Sequence, residues 1–134
     1  LVKTPKLYFT DTGLCAYLCR WPTAETLENG AADGAILETY VVSEIIKSYY
    51  NAGKTPDLYY YRDIDKKEID LLIEKGDKLY PIEVKKAKNP AHADKNFDVL
   101  KVFKKQIEPG IVFCMSDELL PYSRTAWFCP ISII

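Results

Sequence analysis

The feature that most constrains this chain is a Gly76-Asp77 pair set between two strand-like runs, Glu68–Glu74 and Leu79–Lys85. A two-residue turn of this kind fits a tight antiparallel hairpin, and taking Gly76 and Asp77 as the loop fixes the register. Asp70 then lies opposite Glu83, Glu68 opposite Lys85 and Leu72 opposite Pro81. Side chains alternate between faces along a strand. Those six residues should therefore emerge on one face, leaving Ile69, Leu71, Ile73, Tyr80, Ile82 and Val84 as a wholly apolar opposite face. A third run, Leu58–Arg62, is separated from the second by Asp63–Lys67 and completes a predicted antiparallel meander.

Like charges directly opposite one another destabilise a sheet, so Asp70 facing Glu83 requires a compensating cation, a shared proton or plentiful water. Two readings of this face stand. One is a solvated surface carrying an ion pair between Glu68 and Lys85; the other is a site where a divalent cation supplies the compensation. The helical pattern from Gly34 to Asn51 adds a further carboxylate. Leu37, Val41, Val42, Ile45, Ile46 and Tyr49 fall on one broad face, and Asn51-Ala52-Gly53 ends the pattern. At about 100° per residue, Glu38 lies near the middle of that apolar arc, while Thr39, Ser43, Glu44 and Lys47 form the polar one. Glu38 is thus aimed at the sheet. Because an unpaired buried charge is costly, it either serves a site there, pairs with an inward Lys or Arg, or bonds backbone amides near the helix start.

Hard divalent cations such as Mg²⁺ or Mn²⁺ take carboxylate and water oxygens, and need only one or two protein carboxylates beside a substrate phosphate. Asp70, Glu83 and the backbone carbonyl of Val84 suit that ligand set. Lys85 suits the orientation or activation of an attacking water, with Glu38 assisting through a second water. The expected chemistry is phosphodiester hydrolysis.

The remainder of the chain supplies the frame. A strand is expected around Leu7–Phe9, then a helix capped by Asp11 that runs through Leu18 and ends before Trp21-Pro22, then a loop to about residue 33. Beyond Asn89-Pro90, the spacing of Phe97, Leu100, Phe103 and Ile107 predicts a helix over Asp94–Ile107. Ile111–Met115 reads as a buried strand and Thr125–Cys129 as an edge strand. The core order is αβββαβ, which suits an α/β fold with a mixed sheet flanked by helices. At 134 residues the chain should form a single domain, with residues 1–33 as a lead-in and 34–134 as the core.

Charge is unevenly spread although the net is −1. Residues 11–44 carry six acids against one base, and residues 84–107 seven Lys against two Asp. The basic stretch, Lys85, Lys86, Lys88, Lys95, Lys101, Lys104 and Lys105, is either a solvated helix face or a track for a phosphate backbone beside the site, with Lys86, Lys88 and Arg62 as nucleic-acid contacts and Tyr59–Tyr61 available for stacking. No run approaches the roughly 20 apolar residues that span a bilayer, so no membrane partner is expected. The opening Leu1-Val2-Lys3 resembles neither a signal peptide nor a natural start, and the chain reads as a cytoplasmic fragment. Cys15, Cys19, Cys114 and Cys129 have no metal-binding spacing, and His92, the single His, is remote from them in sequence, so free thiols are expected rather than zinc. Gly53-Lys54-Thr55 is a helix-ending turn and not a phosphate loop, because Ser48 stands where that motif needs Gly.

Helix Glu38, strand Asp70 and the run Glu83-Val84-Lys85 resemble the E…D…ExK signature of the PD-(D/E)XK nuclease superfamily, with Ile69 where the name carries a proline. More closely, Lys6–Leu14 (KLYFTDTGL), Ile36–Ile46 (ILETYVVSEII), Tyr60–Glu74 (YYRDIDKKEIDLLIE) and Leu79–Lys85 (LYPIEVK) resemble the C-terminal domain of unknown function carried by many prokaryotic AAA-type ATPases. That resemblance implies a restriction-endonuclease-like fold, the catalytic set Glu38, Asp70, Glu83 and Lys85, and an attached upstream ATPase domain that holds the nucleotide site. It also leaves a second function open: a catalytically silent module that binds nucleic acid or protein and is worked by the ATPase. A purely structural or oligomerising domain, drawing on the many Tyr residues and the apolar tail Pro130–Ile134, is a third.

Overall fold

The computed structural model describes residues 5–30 and 32–134, so positions 1–4 and 31 of the expected lead-in lie outside the described residues. Asp11 caps helix α1 (Thr12–Leu18) by accepting the Leu14 amide at 2.8 Å. The expected strand at Leu7–Phe9 is not formed, and this segment is neither helix nor strand. The expected loop before residue 33 also needs correction. It contains a short helix, α2 (Ala24–Glu28), held by a reciprocal Thr23 and Thr26 capping box that no apolar periodicity announces. Helix α3 (Asp33–Asn51) follows as expected, buries Val41, Val42 and Ile45, and ends at Gly53 with φ +68.

Seven strands form one mixed sheet: β1 (Leu58–Arg62), β2 (Glu68–Lys75), β3 (Lys78–Val84), β4 (Gln106–Ile107), β5 (Gly110–Cys114), β6 (Leu120–Pro121) and β7 (Ala126–Pro130). Their order is β1-β2-β3-β5-β7-β6, with β4 pairing separately with β3. The β1, β2 and β3 meander is antiparallel, β3-β5-β7 is parallel, and β6 adds antiparallel to β7. Strand β7 was expected at the edge, but β6 lies outside it. A two-residue strand containing Pro121 is too short and too polar in context to show the alternation that marks a strand.

The hairpin register is the expected one. Leu71 pairs with Ile82, Leu72 with Pro81, and Lys75 with Lys78, around a Gly76 at φ +61. What differs is the alternation. Between Tyr59↔Leu72 and Tyr61↔Ile69 the register shifts, so β2 carries an extra residue against β1. The bulge turns Ile69 to the same side as Leu72, away from Leu71 and Ile73, which correct the expectation of one wholly apolar face. Both faces are in fact covered. Leu71, Ile82, Val84 and Phe113 pack under α3, whereas Ile69, Leu72, Leu79 and Val112 pack under the segment after β3.

That segment was expected to be an α-helix through Ile107. It is a 3₁₀ helix, Phe97–Phe103, stopped by Lys104 at φ 52 and followed by β4. Phe97, Leu100 and Phe103 recur every third residue, which matches three residues per turn and aligns them in one row. Phe97 and Leu100 are buried, and the Phe103 ring meets Tyr61 edge-on at 6.0 Å. The row lies so close to the sheet that a Cβ on Gly110 would stand 2.4 Å from the Phe97 ring and 2.7 Å from the Pro81 carbonyl. No helix among the described residues is long and apolar enough to cross a membrane.

Candidate functional site

The β2-β3 ladder ends at Leu71↔Ile82, one step before Asp70 would face Glu83. Beyond that pair the Asp70 side chain takes over, with its Oδ2 accepting the buried Val84 amide at 2.8 Å. A cleft of about 410 Å³ opens here, and Glu38, Glu68, Asp70, Glu83 and Lys85 all line it. The structure thus gathers the four residues that the sequence singled out. Residues Ala91–Asn96 form the opposite wall, tied down by Asn96 donating to the Glu68 carbonyl at 2.9 Å.

Asp70 and Glu83 are both buried, at 9% and 7% relative exposure, in contrast to the solvated face first considered. Burial raises the Asp70 pKa, the Val84 amide opposes the rise, and the Glu38 charge adds to it. Burial and the neighbouring Asp70 charge push Glu83 up to about 7 against the pull of Lys85. Lys85 donates to Glu83 Oε1 at 2.5 Å; burial works against its charge, but the carboxylate outweighs this and raises its pKa. Glu83 Oε2 is buried with no hydrogen-bond partner among the described residues. A buried carboxylate oxygen left without a donor is costly, and a proton or a hard cation is what satisfies it.

Glu38 points to the sheet end as the wheel indicates, and it is paired. Lys6 Nζ stands 2.6 Å from Glu38 Oε1, 2.7 Å from Glu68 Oε1 and 4.0 Å from Asp70 Oδ1. The Tyr8 hydroxyl donates to Glu38 Oε1 at 2.7 Å. Burial opposes the Lys6 charge, yet Glu38 and Glu68 outweigh it and raise the pKa. The expected pair between Glu68 and Lys85 is replaced by this one, because the bulge carries Glu68 over to the α3 side. Lys6 and Tyr8 were not foreseen as site residues: they lie over 25 positions before Glu38 in an irregular segment, and only their lysine-x-tyrosine spacing offered a signal.

The basic residues divide differently from expectation. Lys86 is held by Asp33 at 2.7 Å and the Glu28 carbonyl at 2.6 Å, Lys88 is paired with Asp117, and Arg62 reaches Glu68 only at 3.9 Å. None of these three lines the cleft; Lys95 of the same basic stretch does, together with Lys66 and His92. Lys66 and His92 adopt left-handed backbone at φ 61 and 53, a conformation that costs free energy for non-glycine residues and clusters at functional sites. Cys15, Cys114 and Cys129 are buried free thiols, and Cys19 is an exposed one.

A profile for a domain of unknown function, DUF4143, matches residues 33–134. The chain belongs to the DUF4143 family. No curated protein and no solved structure matches it. The DUF4143 match spans α3, the whole sheet and every lining residue of the cleft, while Lys6 and Tyr8 enter from outside it. Among the described residues, no group of three or more His, Cys, Asp or Glu side chains forms a ready-made metal cage. A Mg²⁺-type site does not require one, since one or two carboxylates with waters and substrate oxygens suffice. Asp70 and the orphaned Oε2 of Glu83 fit that smaller demand.

Proposed function

We propose that this DUF4143 domain is a metal-dependent nuclease module with the PD-(D/E)XK fold, hydrolysing phosphodiester bonds of nucleic acid at Asp70, Glu83 and Lys85. The observation that carries the reading is the buried Glu83 Oε2, without a partner among the described residues, beside the Asp70 carboxylate in an open cleft. A divalent cation such as Mg²⁺ or Mn²⁺, held by Asp70, Glu83 and the Val84 carbonyl, would supply positive charge at the phosphate and acidify a water. The chain's own groups account for the rest. Lys85 keeps its proton and offers it as a donor to a non-bridging phosphate oxygen, while Lys66 and Lys95 hold the flanking phosphates at the rim. Water oxygen bonds to phosphorus, the opposite P–O bond breaks, and the departing oxygen takes up a proton, leaving a phosphate monoester and an alcohol. In this reading the domain acts in the cytoplasm, attached to a AAA-type ATPase that binds the nucleotide.

A second reading, a catalytically silent module that binds nucleic acid or protein and is worked by the ATPase, draws on Lys6. Its ammonium already neutralises part of the carboxylate cluster, as expected of a site kept for structure. Calorimetric titration of Mn²⁺ into the wild type and Glu83→Ala, followed by cleavage of labelled single- and double-stranded DNA, separates the two. Binding and cleavage that are both lost in the variant are expected. Mn²⁺ binding without cleavage by the domain joined to its ATPase favours the silent module, and no binding at all retires the metal site.

A further inference from the structure

The segment carrying Lys6 and Tyr8 has neither helix nor strand to hold it, yet it enters the carboxylate cleft and makes its shortest contacts there. Lys6 Nζ bridges Glu38 and Glu68 at 2.6 and 2.7 Å and stands 4.0 Å from Asp70 Oδ1, with the Tyr8 and Tyr60 rings 5.9 and 5.7 Å away. Two-metal phosphodiesterase sites place their ions roughly 3.5–4 Å apart, bridged or flanked by shared carboxylates. Lys6 takes the electrostatic place of one such ion. It is a compact point charge, it touches oxygens of two acids, and it approaches a third. Lys85 engages Glu83 on the other side. Four carboxylates and two ammonium groups leave a charge that a single divalent ion balances.

We propose that Lys6 is a tethered cation standing where a second divalent metal would sit, so that the site takes a single ion, at Asp70 and Glu83. This rests on the metal-dependent reading above and deepens it. Lys6 is a positioning residue: it holds Glu38 and Glu68 together without a soluble ion, and it makes the cleft depend on a segment outside the family match. Among the described residues, removing the ammonium leaves Glu38 with only the Tyr8 hydroxyl and Glu68 with only Arg62 at 3.9 Å, and the oxygens that Lys6 held become available to a further metal ion.

Calorimetric Mn²⁺ titration, paired with melting curves in EDTA and in excess Mn²⁺, tests this on the wild type, Lys6→Met and Lys6→Arg. The wild type and Lys6→Arg should bind one ion per chain. Lys6→Met should melt lower in EDTA, gain a second Mn²⁺, and recover more melting temperature from Mn²⁺ than the wild type does. If metal-free Lys6→Met fails to fold, Lys6→Met/Glu68→Gln removes the cation together with one of its acids, and its Mn²⁺-induced rise should still exceed that of the wild type. One ion in all folded proteins, with equal Mn²⁺-induced rises, overturns the role of Lys6 and leaves the metal site standing. No Mn²⁺ binding in any of them overturns the metal site itself, and this inference with it.

Discussion

Replacing Glu83 with Gln keeps the shape and an oxygen that Lys85 can bond, but removes the titration. In the folded protein burial and Asp70 hold the Glu83 carboxyl at about 7, against an ordinary value of 4.5. The folded state therefore binds this proton more tightly than the unfolded chain. Its contribution is fully present below pH 4.5 and is lost as pH rises through about 7. At about 1.4 kcal/mol per pH unit, that span corresponds to about 3 kcal/mol. For 134 residues the unfolding entropy is about 0.28 kcal/mol/K, from about 2.1 cal/mol/K per residue, so the loss equals roughly 10 °C. Melting curves in EDTA between pH 4.5 and 8.5 should show the wild type losing about that much relative to Glu83→Gln, with the difference complete just above pH 7. Asp70, whose pKa is raised in the same direction, is coupled to Glu83, so the comparison of wild type with Glu83→Gln reads the pair together. Parallel profiles for wild type and variant would refute the argument that burial and Asp70 raise the titration of Glu83 against the pull of Lys85. Adding Mn²⁺, which competes with the proton, should stabilise the wild type more at pH 8 than at pH 5 and leave the variant almost unmoved.

Further substitutions probe the frame and the rim. Gly110→Ala puts a methyl group against the Phe97 ring and the Pro81 backbone, and chemical denaturation should show a loss of about 1–3 kcal/mol or failure to fold. Leu100→Ala empties a fully buried position in the core under the 3₁₀ helix and should cost about 2–5 kcal/mol in the same assay while sparing Mn²⁺ binding. Lys66→Glu with Lys95→Glu should weaken DNA binding and flatten its salt dependence, whereas Lys86→Ala should leave that slope unchanged, because Lys86 is engaged by Asp33. Equal slopes for the wild type and the double variant would remove Lys66 and Lys95 from the phosphate contacts.

Several local elements and one long-range fact were legible in the sequence. Gly76-Asp77 between alternating runs set the hairpin register, Asp11 set the start of α1, and Leu37–Tyr49 set α3 with Glu38 on its inward arc, because turn chemistry, capping and periodicity act over a few residues. From these, sequence alone brings Glu38, Asp70, Glu83 and Lys85 to one place, the cleft that they line. Only the tertiary structure decided what surrounds them. The β2 bulge that turns Ile69 over and sends Glu68 to the α3 side depends on pairing with β1, and a period-two pattern contains no mark of it. The Phe97–Phe103 segment winds as a 3₁₀ helix and lies against the sheet at Gly110, a packing between parts of the chain that are not neighbours in sequence. The partner of Glu38 could not be assigned either: Lys6 reaches it from an irregular segment, and an ion pair made between distant parts of the chain is fixed by where the fold brings two charges, not by anything that their neighbours in sequence encode.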